Sequence, residues 1–173
     1  MPGPAERDAD VAARLLATLE TAGWSLSVAE SLTGGAVCAR LVDVPGASRV
    51  LRGGVVAYAT DLKAALLGVS GELLAARGAV DPAVAAAMAA GVRERLGSDV
   101  GLATTGVAGP DPQDGWPPGT VHVAVVTPVL TRVGSWTLPG DRAAVRAATV
   151  RGVLELALAA LGGAGEQDAA TPR

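Results

Sequence analysis

A short apolar strand-type run over 24–28 stops abruptly at Ala29-Glu30-Ser31-Leu32-Thr33-Gly34-Gly35, and a helix-type pattern follows. A chain that passes from strand to helix through an acid, two hydroxyls and two glycines makes a tight turn in front of helix N–H groups that lack intrahelical partners. The same switch of period recurs along the sequence. Val11, Leu15, Leu16 and Leu19 predict a helix over 6–22, ended by Gly23. A helix over 33–42 is closed by Pro45-Gly46, 53–58 reads as a second strand, and Thr60 or Asp61 caps a helix that gives way to Gly68. A short helix is expected over 71–77. Asp81-Pro82 starts an Ala-rich helix ending near Gly97, and 100–104 is a strand. Segments 120–126 and 133–138 are joined by a link too short for a crossover, which predicts an antiparallel pair. Asp141 caps a last helix over 142–161.

This order belongs to the α/β class. Half of the 173 residues are apolar, yet Phe is absent, Tyr occurs once and Trp three times, so the core must be built from Ala, Val and Leu. Parallel or mixed strands covered by Ala-rich helices suit that composition. One domain is expected over 1–161, with a disordered tail over 162–173. A net charge of −3 gives no basic footprint, which argues against nucleic acid as a partner. The lone Cys38 cannot form an internal disulfide and reads as a small buried helix thiol rather than a nucleophile. Met1-Pro2-Gly3-Pro4 does not open a leader, and no apolar stretch approaches the ~20 residues of a membrane span. A cytoplasmic protein without membrane association is the expectation.

Ser31 itself has two readings. It either caps the following helix or, with an anion-stabilising turn beside it, acts as a nucleophile. Three more strand ends carry reactive or small residues. Tyr58 precedes Lys63 by five residues, and a lysine in the first turn of a helix meets the positive end of the helix dipole. Partial burial there would make a neutral amine available as a base; the alternative is a solvated lysine beside a packed tyrosine. Lys63 is the only lysine and Tyr58 the only tyrosine. The second place is Thr104-Thr105-Gly106-Val107-Ala108-Gly109-Pro110, whose glycines allow either close approach of a ligand or simply a tight turn. The third is Leu138-Pro139-Gly140-Asp141-Arg142, with Arg146 one turn further on the same face, suited to an anion or to solvent. Residues 111–119, with three prolines and Trp116, suggest a stiff loop able to cover a pocket. His122 sits among alternating valines as a packed or edge residue, and no His/Cys cluster suggests a metal.

Taken together, Ala29 to Gly35, Gly53-Gly54-Val55-Val56-Ala57-Tyr58 with Lys63, Thr105 to Pro110 and Pro139-Gly140-Asp141-Arg142 resemble the C-terminal domain of competence/damage-inducible protein A, over residues 8–161. Stand-alone members of that family are nicotinamide-nucleotide amidohydrolases. The resemblance implies a three-layer α/β/α sandwich with a mixed, mainly parallel sheet, no cofactor, no metal, and a homo-oligomer. It also implies hydrolysis of the carboxamide of nicotinamide mononucleotide, with Ser31, Tyr58 and Lys63 as the catalytic set. On that footing Lys63, or Tyr58 polarised by it, takes the Ser31 proton, and N–H groups around Thr33, Gly34 and Gly35 hold the oxyanion. Glu30 orients a water, holds Lys63 or serves as an acid at a helix N-terminus. Thr105, Gly106, Ala108, Gly109 and Arg142 are the candidates for the ribose-phosphate.

The chain departs from the family pattern after Gly109-Pro110. Where many relatives have a glycine-rich stretch and a lysine, it carries Asp111-Pro112-Gln113-Asp114-Gly115-Trp116-Pro117-Pro118. Losing a lysine and gaining acids weakens phosphate affinity if the loop lines the site. The larger domain of fused relatives is not part of this sequence, so no pyrophosphatase activity is expected. A non-catalytic nucleotide-binding or protein-interaction module is the alternative function.

Overall fold

The structure, a computed structural model, describes residues 4–168. Helix α1 (Pro4–Ala22) leads through Gly23 into strand β1 (Leu26–Glu30), and α2 (Ala36–Val42) and a 3-10 turn (Ala47–Arg49) lead on to β2 (Leu51–Val56). Helices α3 (Thr60–Leu67), α4 (Gly71–Arg77) and α5 (Pro82–Leu96) precede β3 (Val100–Gly106). The antiparallel strands β4 (Thr120–Val126) and β5 (Thr131–Thr137) are followed by α6 (Arg142–Asp168). The sheet order is β2-β1-β3-β4-β5, parallel from β2 to β3 and antiparallel beyond.

Alternate strand residues feed two cores. Leu26, Val28, Val100, Leu102, Val123 and Val125 pack with residues of α1, α2 and α6. Ala29, Ala103 and Ala124 face α3 and α5. The second face is lined by small side chains, which lets α5 lie close on the sheet. A Cβ at Gly101 would strike the Ala89 carbonyl, and one at Gly91 would strike the Leu67 carbonyl of α3. This explains how a chain without phenylalanine reaches a dense interior. It also confirms the expected α/β class with its mixed sheet.

Several boundaries differ from the sequence reading. Helix α2 begins at Ala36 rather than 33, because Gly34 and Gly35 take φ of 60° and 95° and turn the chain before the helix starts. Strand β2 covers Leu51–Val56, not 53–58: Ala57 N–H still reaches Glu30 O at 2.9 Å, after which the chain leaves the sheet for α3. Neither Thr60 nor Asp61 caps α3; Ala59 holds that position without a side-chain bond. Helix α6 continues past Leu161 to Asp168. The remainder of the expected tail, 169–173, lies outside the described residues. Asp81 does cap α5, accepting from Ala83 N–H at 2.7 Å with Pro82 in the first turn, and Asp141 accepts from Ala144 N–H at 2.9 Å.

Strand β1 has β2 on one side and β3 on the other, so the chain's path reverses there. Crevices at the carboxyl ends of such strands are where open α/β sheets bind ligands. The Gly91→Ala variant is expected to lose about 1–3 kcal/mol in urea unfolding, the cost of overpacking α5 against α3.

Candidate active site

Glu30 ends β1 fully buried, and its carboxylate folds back over the start of α2. Oε2 accepts from the N–H of Gly35 at 2.9 Å and of Val37 at 3.0 Å, and Oε1 from that of Cys38 at 2.9 Å. Two of the three N–H groups expected to hold an oxyanion are therefore engaged, Gly35 by Glu30 and Gly34 by the Ser31 carbonyl at 3.0 Å. Four more bonds fix the turn. Ser31 N–H donates to Thr104 O at 3.0 Å, the hydroxyls of Thr33 and Thr104 meet at 2.7 Å, and Arg146 donates to Leu32 O at 3.0 Å and Thr33 O at 2.7 Å. Arg146 thus serves the turn, not an anion. Beneath it Leu32 packs with Ala108, Val121 and Val145.

Ser31 is not the cap of α2. Its Oγ instead lies 3.2 Å from Nζ of Lys63, whose side chain is 1% exposed. Nζ also donates to Ala57 O at 2.9 Å and Tyr58 O at 3.3 Å. Burial lowers the lysine pKa below its ordinary value, and the charges of Asp114 and Asp61 oppose that shift. Nζ thus donates to three oxygens, the two carbonyls and the Ser31 hydroxyl, and no carboxylate is among them.

Ser31 and Lys63 open into a cavity of about 120 Å³, with Leu32, Ala79, Val80, Thr105, Gly106, Ala108, Gly109, Asp111, Gln113 and Arg142 in its wall. That is near the ~150 Å³ of a hollow that holds one benzene ring. At the mouth the Tyr58 side chain is 54% exposed, its phenol oxygen accepting from Arg142 at 2.8 Å. A second Arg142 bond, to Gly109 O at 2.9 Å, fixes the guanidinium over the loop.

The CinA C-terminal domain family matches residues 8–161. The chain belongs to this family. A CinA-like protein of Frankia casuarinae is 55% identical over 139 residues, covering 80% of this chain and 32% of its own length. A putative competence-damage inducible protein of Desulforamulus reducens is 50% identical, covering 79% and 33%. This chain thus spans about a third of the length of these curated relatives. Among solved structures, a CinA superfamily protein of Klebsiella pneumoniae superposes with TM-score 0.87 at 31% identity, over 90% of this chain and 98% of that one. A competence/damage inducible protein of Agrobacterium tumefaciens gives 0.85 at 34%, over 94% and 98%.

Within this CinA domain the sequence-predicted residues separate into two groups. Ser31, Tyr58, Lys63, Thr105, Gly106, Ala108, Gly109 and Arg142 all border the cavity. Glu30, Thr33, Gly34 and Gly35 do not; they form the scaffold behind Ser31. Sequence reasoning missed the Ala79-Val80 wall, which carries no motif. His122 is packed, as expected, with Nδ1 2.8 Å from Ser135 Oγ. Cys38 has its thiol pushed up to about 12, chiefly by burial and then by Glu30, which leaves it unreactive. Among the described residues, no helix is long and apolar enough to cross a membrane.

Replacing Glu30 by Gln removes an acceptor and turns an amide against buried N–H groups. We expect about 2–3 kcal/mol of lost stability, read by chemical denaturation. A pH test isolates Lys63. Because its folded pKa is lowered from 10.5, the unfolded chain binds more protons between the two values, and stability rises with pH through that window. Wild type should therefore gain stability relative to Lys63→Met as pH is raised from 7 towards 10, in parallel urea titrations.

Proposed function

We propose that this CinA domain is an amidohydrolase that converts nicotinamide mononucleotide to nicotinic acid mononucleotide and ammonia, with Ser31 as nucleophile and Lys63 as base. The observation that carries the reading is the buried amine of Lys63, 3.2 Å from the Ser31 hydroxyl beside a ring-sized cavity that both residues line. Neutral Lys63 takes the hydroxyl proton as Ser31 Oγ attacks the carboxamide carbon. The tetrahedral oxyanion falls to backbone N–H groups of the lining residues outside the Glu30 cap, Leu32 and the 108–109 loop being the candidates. As the C–N bond breaks, the lysine ammonium returns its proton to the nitrogen, releasing ammonia. Neutral Lys63 then deprotonates a water that hydrolyses the acyl-serine, giving the carboxylic acid and free Ser31.

The wall charges fit such a substrate. Asp111 lines one side of the cavity and Arg142 its mouth. A pyridinium ring carries a positive charge and its phosphate a negative one, so the ring meets the acid and the phosphate the guanidinium. Tyr58 acts on Lys63 through its carbonyl, while its phenol, held by Arg142, borders the ribose-phosphate path.

Purified protein given nicotinamide mononucleotide should release ammonia. Ser31→Ala should lower kcat/KM by on the order of 10³-fold or more. Lys63→Met should act on kcat while leaving substrate binding, measured by calorimetry, largely intact. Full ammonia release by Ser31→Ala would sink the mechanism.

A further inference from the structure

Strand β5 is an outer edge of the sheet, and its seven residues pair with β4 in one unbroken register. The bonds at the two ends of that ladder, Thr127 N–H to Leu130 O and Leu138 N–H to Gly119 O, are both 2.8 Å and fix which pairs are hydrogen-bonded. Alternation between them makes Arg132, Gly134 and Trp136 the residues bonded to β4. Thr131, Val133, Ser135 and Thr137 therefore turn their N–H and C=O groups outward, and among the described residues no strand receives them.

Edge strands of soluble domains ordinarily carry a device against further pairing: a lysine, a proline, a bulge or a covering segment. The opposite edge of this sheet has one, since β2 shifts register against β1 beside Leu26 and Ser27 and carries Gly53 at φ of 149°. Strand β5 has no bulge, no proline and no lysine, and its one charged residue is Arg132. Val133 is left 38% exposed, and Val129 in the adjoining turn 69%.

We propose that the outer side of β5 is a homodimer interface: β5 of a second copy of this chain pairs with it antiparallel about a two-fold axis through Gly134, joining the two sheets into one. The strand is self-complementary in that register. A two-fold contact brings each residue to the one related to it through the centre, so Thr131 meets the partner's Thr137, Val133 the partner's Ser135 and Arg132 the partner's Trp136. The outward-facing residues then lie opposite one another, as a hydrogen-bonded ladder requires, whereas a slip by one residue sets outward groups against inward ones. Arg132 and Trp136 fall in the closely spaced pairs, where a guanidinium within ~6 Å of an indole is attracted to it. The indole is already in place. A Cβ on Gly134 would stand 2.8 Å from Trp136 Cζ2, and one on Gly152 of α6 would stand 2.7 Å from Cζ3. Its own strand and helix thus hold the ring beside the axis, so little side-chain freedom is lost on association. A second copy both supplies an indole to Arg132 and receives an arginine at its own Trp136, which favours it over an unrelated strand.

Sedimentation of the intact chain at about 100 μM, enough to populate a complex with a micromolar Kd, should give twice the monomer mass. Val133→Pro removes an outward N–H and leaves the β4 ladder alone, so it should yield a monomer with unchanged circular dichroism. Thr131→Cys combined with Thr137→Cys in one chain reads the register. The two positions are roughly 20 Å apart along the strand, too far to join within one copy, yet opposite each other across the axis. Mild oxidation should link the double variant into a covalent dimer on a non-reducing gel, and should link neither single variant. A monomeric wild type, a dimer that survives Val133→Pro, or a double variant that links no better than the single ones would overturn the proposal. If Val133→Pro fails to fold, the cysteine pair decides alone. None of these readouts involves Ser31, so the outcome is independent of the amidohydrolase reading.

Discussion

The buried Glu30 carboxylate, accepting three N–H groups at the start of α2, is the interaction on which the site depends. A charge in the interior is tolerated only when it is well hydrogen-bonded. Here the donors are the otherwise unpaired groups of a helix start, and the helix dipole adds to the attraction. Because the acceptor sits at the last residue of the central strand, the geometry of the strand end and of the helix start are fixed together. The chain between them, Ser31 to Gly34, has little freedom left, and Thr104 and Arg146 remove more of it. Ser31 is consequently held by backbone bonds alone, and its side chain is free to face Lys63.

The same commitment shapes the electrostatics of Lys63. A buried lysine beside a buried glutamate would ordinarily form an ion pair and stay protonated. Glu30 is close in sequence to Ser31 but spends both oxygens on α2, so no carboxylate meets Nζ directly. The amine is left with a hydroxyl and two carbonyls, partners that stabilise an ammonium less than a carboxylate does. Burial then prevails over the more distant acids. The lowered pKa of the lysine follows from its burial together with what Glu30 does elsewhere.

Local signals read true where the physics was local. The Asp81-Pro82 start, the Gly97 end, the Asp141 cap and the antiparallel β4–β5 pair each follow from a few adjacent residues. The pairing of Ser31 with Lys63 was accessible because Ser31 follows β1 directly and Lys63 sits in α3, the helix that follows the neighbouring strand β2. The role of Glu30 at the start of α2 was one of three left open by the sequence, since the carboxylate reaches five to eight residues forward across two left-handed glycines. Arg146 looked like half of an anion clamp because its spacing from Arg142 was right; its carbonyl partners, more than a hundred residues away, are a tertiary fact.

Packing far from the cavity also determines its shape. The 78–80 wall is the segment that enters α5, so its position follows from how closely that helix lies on the sheet. Gly91 against Leu67 and Gly101 against Ala89 allow a contact that any side chain would prevent. With α5 lowered onto the alanine-lined face, its capped first turn brings Ala79 within reach of Thr105 at the end of β3. A core of larger residues on that face would lift the helix, and the wall with it, away from Ser31. The absence of phenylalanine is thus part of how the site is closed: small residues in the middle of the sheet translate into a narrow cavity at its edge.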